Sequence, residues 1–258
     1  MTPRPFALLL LSLAPACAVR AGSPAAASAL AQLEHPTSPP LDRSLFPRDP
    51  AGALDEDSLQ KILDAPIAID LPGRVGVLPI ATDVDGRGPS PTYRVPTGAV
   101  AFTHALATGG PFTMVTEMLA IPSGSLGMEA LRTIAARYRL RYLLLYREEL
   151  GRRSRNNGWA AGYATILGAF VLPGQTLSAF GFIEATLLDV KTGTLMFTVR
   201  KLGSVEKSSN VWHNDNKLDE MEAGLVSGLA PGLASAAIVE TGRYAEAVRG
   251  EARRVANR

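Results

Sequence analysis

From Arg74 onward, apolar residues fall into short runs separated by polar or glycine-rich breaks, and their spacing predicts the elements. Asp55 or Asp57 can cap a short helix through Ile62-Leu63, stopped before Pro66. Arg74-Val-Gly-Val-Leu-Pro-Ile80 is a compact apolar run that predicts a buried strand. Thr97 to Ala107 follows as a helix ended by Gly109-Gly110, and Phe112 to Leu119 as a second strand. Across Ser123 to Tyr138, Leu126, Ala130 and Ile134 recur at helical spacing. Arg141-Tyr-Leu-Leu-Leu-Tyr146 then predicts a third strand. A βαβαβ order implies parallel strands joined by right-handed crossovers.

Beyond this unit the pattern changes. Phe182 to Val190 and Thr194 to Val199 predict a strand pair around Lys191-Thr-Gly193. The tail from Asp215 is helical, broken at Pro231-Gly232 and resuming from Ala234 to about Val255. The expected fold class is α/β. A βαβαβ unit, a β-hairpin and C-terminal helices would make one mixed sheet flanked by helices, in a single domain spanning 54–258.

Lys191-Thr-Gly-Thr194 also spells the KTGT of penicillin-binding proteins and serine β-lactamases. Those enzymes need Ser-x-x-Lys, Ser-x-Asn and Lys-Thr-Gly in that order, and Ser58-Leu-Gln-Lys61, Ser154-Arg-Asn156 and Lys191-Thr-Gly193 supply it. Three observations oppose the match. The second interval is much shorter than the first, the reverse of that family. Ser58 sits in an acidic context, Asp55-Glu-Asp57. The Asp and Gly of Asp189-Val-Lys-Thr-Gly193 suit a tight turn between two β-rich runs. KTGT is therefore expected to be a hairpin turn, with no catalytic residues.

The first residues have another character. One positive charge in Met1 to Arg4, an apolar run from Phe6 to Leu13 and small residues at Ala14, Ala16 and Ala18 form a secretory leader, 1–17. The single cysteine, Cys17, directly follows. Leu13-Ala-Pro-Ala-Cys17 resembles a bacterial lipobox, in which Cys17 becomes the lipidated first residue, although Ala14 and Pro15 depart from the usual pattern. Alternatively, a signal peptidase reads Ala16-Cys-Ala18 and discards the cysteine. Fatty acyl chains such as palmitate on Cys17 would exceed the two hydrophobic signals that stable anchoring requires. Ala18, in place of an Asp, favours the outer membrane, facing the periplasm; a soluble periplasmic or secreted protein is the alternative. Residues 18–53, with Ser38-Pro-Pro40 and Phe46-Pro-Arg-Asp-Pro50, form a Pro/Ala/Ser-rich tether.

The 258 residues are 47% hydrophobic with a net charge of +2, which gives no argument for a nucleic-acid partner. No cofactor is expected: Arg74 to Ile80 lacks the glycine pattern of a nucleotide site. Asp83-Val-Asp85-Gly86 lacks the distal Glu of a calcium loop. His35, His104 and His213 have no partners at metal-ligand spacing.

The marked anomaly is Gly158 to Ile183, which contains no charged residue. Its apolar part, Trp159 to Phe182, is divided by Pro173-Gly174, and Arg152-Arg-Ser-Arg155 stands in front of it. Core strands, a partner surface and an apolar hairpin dipping into lipid are all compatible with this stretch. Trp159, Tyr163, Phe170, Leu172 and Phe180 are its candidate contact residues.

The leader with Cys17, the strand VGVLPI, the helix–strand ARYRLRYLLLY and the hairpin ATLLDVKTGTLMFTV resemble bacterial envelope lipoproteins that share the fold of the curli-secretion lipoprotein's periplasmic domain. Penicillin-binding-protein activator lipoproteins have that fold, and rhombotarget lipoproteins are similar in layout. The resemblance covers about residues 60–235. It implies a non-enzymatic, lipid-anchored envelope protein acting as an interaction or assembly factor, with an unidentified envelope partner and a homo-oligomer as a further possibility. The alternative class is a membrane-inserting or pore-assembly subunit using 158–183. Two amphipathic strand pairs for a barrel are not evident, which argues against a pore.

Overall fold

In the computed structural model, described residues are 57, 60, 63–64, 68–83, 93–160, 172–210 and 212–256. Seven strands form one mixed sheet: β1 Arg74–Asp83, β2 Tyr93–Arg94, β3 Met114–Glu117, β4 Ile121–Pro122, β5 Tyr142–Asn156, β6 Gln175–Asp189 and β7 Leu195–Ser209. Among the described residues three complete helices accompany it: α1 Ala99–Gly109, α2 Met128–Arg137 and α3 Asn214–Ala256. The order is β2-β1-β5-β6-β7, with β3 and β4 also pairing on β1. The βαβαβ expectation holds, because β3 and β5 both run parallel to β1. β5, β6 and β7 are antiparallel neighbours.

Side-chain alternation along the strands assigns the two faces. On one, Val75, Val77, Tyr142, Leu144, Ile183, Ala185 and Leu187 meet Phe102 and Leu106 of α1 and Val226, Ala230, Leu233 and Ala237 of α3. On the other, Leu78, Leu143, Leu145 and Leu188 meet Leu131 and Ala135 of α2. A third cluster joins Leu177 and Ala179 to Leu218 and Met221. Helix α3 thus follows β6 from its beginning to its end. By length and apolarity α3 could cross a membrane, but its apolar face is occupied by the sheet.

Several elements differ from their predicted extents. The second strand, expected over Phe112 to Leu119, is only β3 at Met114–Glu117, and the two-residue β4 follows beyond that range. Helix α2 begins only at Met128, because Ser123–Gly127 forms turns first. Strand β5 continues through the charged Arg152-Arg-Ser-Arg155, and β7 runs to Ser209. These charged ends lie where one sheet face meets solvent, so an apolar run cannot mark them. The predicted break in the C-terminal helix is absent. Pro231 lies inside one continuous helix of 43 residues, on its exposed side. Core contacts on both sides of Pro231, through Ala230, Leu233 and Ala234, outweigh the lost backbone bond.

Register gives the sheet two distinct ends. Val75, Tyr142 and Asp189 align at one end, while Asn156, Gln175 and Ser209 align at the other. Fifteen-residue strands separate these ends by about 50 Å.

Candidate functional site

The KTGT segment sits beyond the first of these ends. Gly193 takes φ +77°, the left-handed conformation that a tight turn asks of glycine. The Gly193 N–H donates to Asp189 O at 2.8 Å, and the Lys191 N–H to Asp189 Oδ1 at 2.8 Å. Arg141 braces the same carboxylate at 2.6 Å, and Arg132 donates to the carbonyls of Val190 and Lys191. KTGT is a hairpin turn. Ser154 pairs with Leu177 near the opposite end, on the order of 40 Å from Lys191. One pocket cannot hold both. Ser58 lies outside the described residues.

A second polar cluster is buried on the α1 side. The Glu148 carboxylate accepts N–H bonds from Gly98 (2.7 Å) and Thr97 (3.2 Å) and the Tyr146 hydroxyl (2.9 Å). Burial raises its pKa above the ordinary carboxylate value, against the lowering effect of these donors and of Arg94. Burial and the neighbouring Glu148 raise that of Tyr146 strongly. Arg94 pairs with Glu222 at 3.1 Å. Gly98 admits no side chain, since a Cβ there would stand 2.2 Å from Val226 Cγ1. The cluster caps α1 from β5. An apolar cavity of about 200 Å³ under α2, lined by Leu78, Met118, Leu131 and Ile134, offers little that could orient a ligand.

The other end of the sheet has a different composition. Both tryptophans of the chain emerge there, Trp159 just after β5 and Trp212 just after β7, with exposures of 61% and 44%. A polar network holds their turns. The Trp159 N–H donates to Asn157 Oδ1, and Asn157 Nδ2 donates to Pro173 O. Lys217 Nζ donates to Ser209 Oγ, Asn210 Oδ1 and Trp212 O at 2.7–2.9 Å. Asn214 bridges the set, accepting from Ser209 and donating to Gln175. Arg153 and Arg155 lie among the last residues of β5 before this end, without an ion-pair partner among the described residues.

The residues singled out in the uncharged stretch separate here. Trp159 is exposed at this end and Leu172 half-buried beside it, while Phe180 belongs to β6 and lies over Gly151. Tyr163 and Phe170, like Cys17, lie outside the described residues. From Gln175 the stretch is β6, an interior strand one place from the edge, partnered by β5 and β7. Trp212 and the Lys217 network were not foreseen. Their signal, a second tryptophan flanked by Asn210, His213 and Asn214, is too short to read without the register that brings it to the same end of the sheet as Trp159.

No protein-family model matches the chain. No curated protein matches it either. Solved structures do. They include the PelC dodecamer of Paraburkholderia phytofirmans, at 16% identity over 61% of this chain and 85% of that one, TM-score 0.32. The LpoB C-terminal domain of Escherichia coli matches at 16% identity over 58% and 94%, TM-score 0.30. Lipoprotein GNA1162 of Neisseria meningitidis matches at 12% identity over 62% and 99%, TM-score 0.30. One of these structures is itself named a lipoprotein; the likeness of all three to this chain is one of layout alone.

Proposed function

We propose that this protein is a non-enzymatic, lipid-anchored factor of the bacterial cell envelope that binds another envelope protein through the tryptophan end of its sheet. The observation carrying this reading is the joint exposure of Trp159 and Trp212 on turns held by the Asn157 and Lys217 networks. Large aromatic side chains on rigid supports are the typical anchors of protein interfaces, because they bury much area with little loss of freedom. Arg153 and Arg155 add charge-assisted donors at the rim. The uncharged residues between Trp159 and Leu172 would supply the apolar contact area.

A photoreactive phenylalanine analogue in place of Trp159 tests this in intact cells. The expected result is one discrete adduct that disappears when Trp212→Ala is added, with the thermal melt unchanged. Diffuse or absent labelling would remove the proposed surface. The anchor is tested separately, by the mass of the N-terminal peptide: acylated Cys17, with membrane retention lost in Cys17→Ser, is expected.

Exposed tryptophans beside Arg153 and Arg155 also suit a lipid headgroup layer, which favours membrane insertion as the second reading. Leakage of anionic liposomes, abolished by Phe170→Asp with Leu172→Asp, would select it over the protein partner.

A further inference from the structure

Strand β7 is the last strand of the sheet, and among the described residues nothing pairs with its outer edge. Its 15 residues expose a long ladder of unused backbone donors and acceptors. The charges beside that ladder are unevenly matched. Arg200 donates through Nε and Nη2 to Glu184 at 3.1 and 2.9 Å, and Arg147 reaches the other Glu184 oxygen at 2.8 Å. A row of alternating charge, Arg147–Glu184–Arg200, therefore crosses β5, β6 and β7 and stops at the edge. Glu206, on the same face of β7, accepts only from the Ser178 hydroxyl at 3.2 Å. It has no cationic partner among the described residues.

We infer that β7 pairs antiparallel with β7 of a second copy, centred on Gly203, to give one continuous sheet across a two-fold axis. An antiparallel pair related by an axis normal to the sheet keeps each side chain on its own face, so only residues of like parity stand opposite. Centring the axis on Gly203 sets Arg200 opposite Glu206 of the second copy, and Glu206 opposite its Arg200. The charge row then continues through the partner as a fourth member. Leu202 faces Ser204, and Lys201 and Lys207 face Val205 and Val199. Moving the axis to Lys201 or Ser204 instead opposes lysine to lysine. Moving it to Leu202 pairs no charges. The Gly203 register alone among these neighbours matches both charges without a like-charge contact.

The adjoining helix surface is compatible with this approach. Leu225 and Leu229 pack over Gly203, while a Cβ on Gly224 or Gly228 would meet nothing within 4 Å. A second α3 on the same face thus finds low relief beside the edge.

The test is sedimentation of the full chain carrying Cys17→Ser, over a concentration series, alone and with Glu206→Arg. A reversible dimer is expected, weakened about tenfold or more by Glu206→Arg, which turns two attractive contacts into Arg–Arg repulsion. In the same background, Leu202→Cys and Ser204→Cys variants mixed under oxidising conditions should give a disulfide between positions 202 and 204 of different copies. That link reports the register even if Glu206→Arg impairs folding. A monomer at every concentration would overturn the inference and make Lys201 and Lys207 guards of a solitary edge. So would a dimer in which the 202–204 link does not form.

Discussion

Glu148 on β5 and Gly98 at the start of α1, 50 residues apart in the chain, meet through a 2.7 Å hydrogen bond that supplies the helix with a cap from another element. The local sequence offers none: the N-cap residue is Gly98 itself, without a side chain. Because burial raises the Glu148 pKa above its ordinary 4.5, between that pH and the folded-state value the folded state holds a proton there that the unfolded chain has released. Its stabilisation is therefore complete below about pH 4.5 and is lost as pH rises through the folded-state value. Glu148→Gln should flatten that fall in a series of urea midpoints against pH. Glu148→Ala, which strands the amides of Thr97 and Gly98, should destabilise by roughly 1–3 kcal/mol.

Asp189 and Lys191 should separate sharply on substitution, although both belong to the KTGT turn. The Asp189 carboxylate holds the Arg141 guanidinium and the Lys191 amide, so Asp189→Ala is expected to cost roughly 1.5–3 kcal/mol. The Lys191 side chain is exposed, and Lys191→Ala should stay within about 0.5 kcal/mol of the parent by chemical denaturation. A fluorescent penicillin should label neither variant nor the parent.

Glu184 lies between two guanidinium groups, and the Phe182 ring is 4.3 Å from Arg200 and 5.6 Å from Arg147. Glu184→Ala leaves two cations facing each other across that ring. A loss of about 3 kcal/mol is expected, at the low end for a broken buried pair because both arginines are partly solvated. Glu184→Ala combined with Arg147→Ala should recover part of it, which a double-mutant cycle would read.

Pro231 removes one backbone bond from α3 while leaving the helix unbroken. Pro231→Ala restores the donor on an exposed face and should stabilise the fold by about 1–3 kcal/mol. A higher midpoint in thermal unfolding checks it, and an unchanged one would mean that α3 already compensates at that turn.

How much of this was legible depends on the length scale of the signal. Arg74 to Ile80 and Arg141 to Tyr146 are buried on both faces, so their apolar runs announced strands and the βαβ order followed. The outer halves of β5 and β7 carry Arg152 to Arg155 and Lys201 to Lys207 because one face meets solvent, and a charge run hides a strand there. Pro231 misled for a related reason: a breaker acts locally, whereas α3 is held by contacts with β6 along most of the sheet. The turn around Gly193 was readable because Asp, Gly and flanking β-formers sit within a few residues. The placement of Trp159 and Trp212 at one end of the sheet was not, since it depends on the register of three long strands.

The two ends of the sheet give the domain a polarity. The chain comes into the sheet at Arg74, at the same end as Asp189, whereas the tryptophans stand past Asn156 and Ser209 at the far end. Whatever holds the protein by its N-terminal side therefore grips one pole of a stiff strut, and Trp159 and Trp212 lie at the other, roughly 50 Å further on. On the proposed function the β-sheet would work as a standoff, setting a fixed distance between attachment and contact, and shortening β5 and β6 together would change that reach without altering either pole.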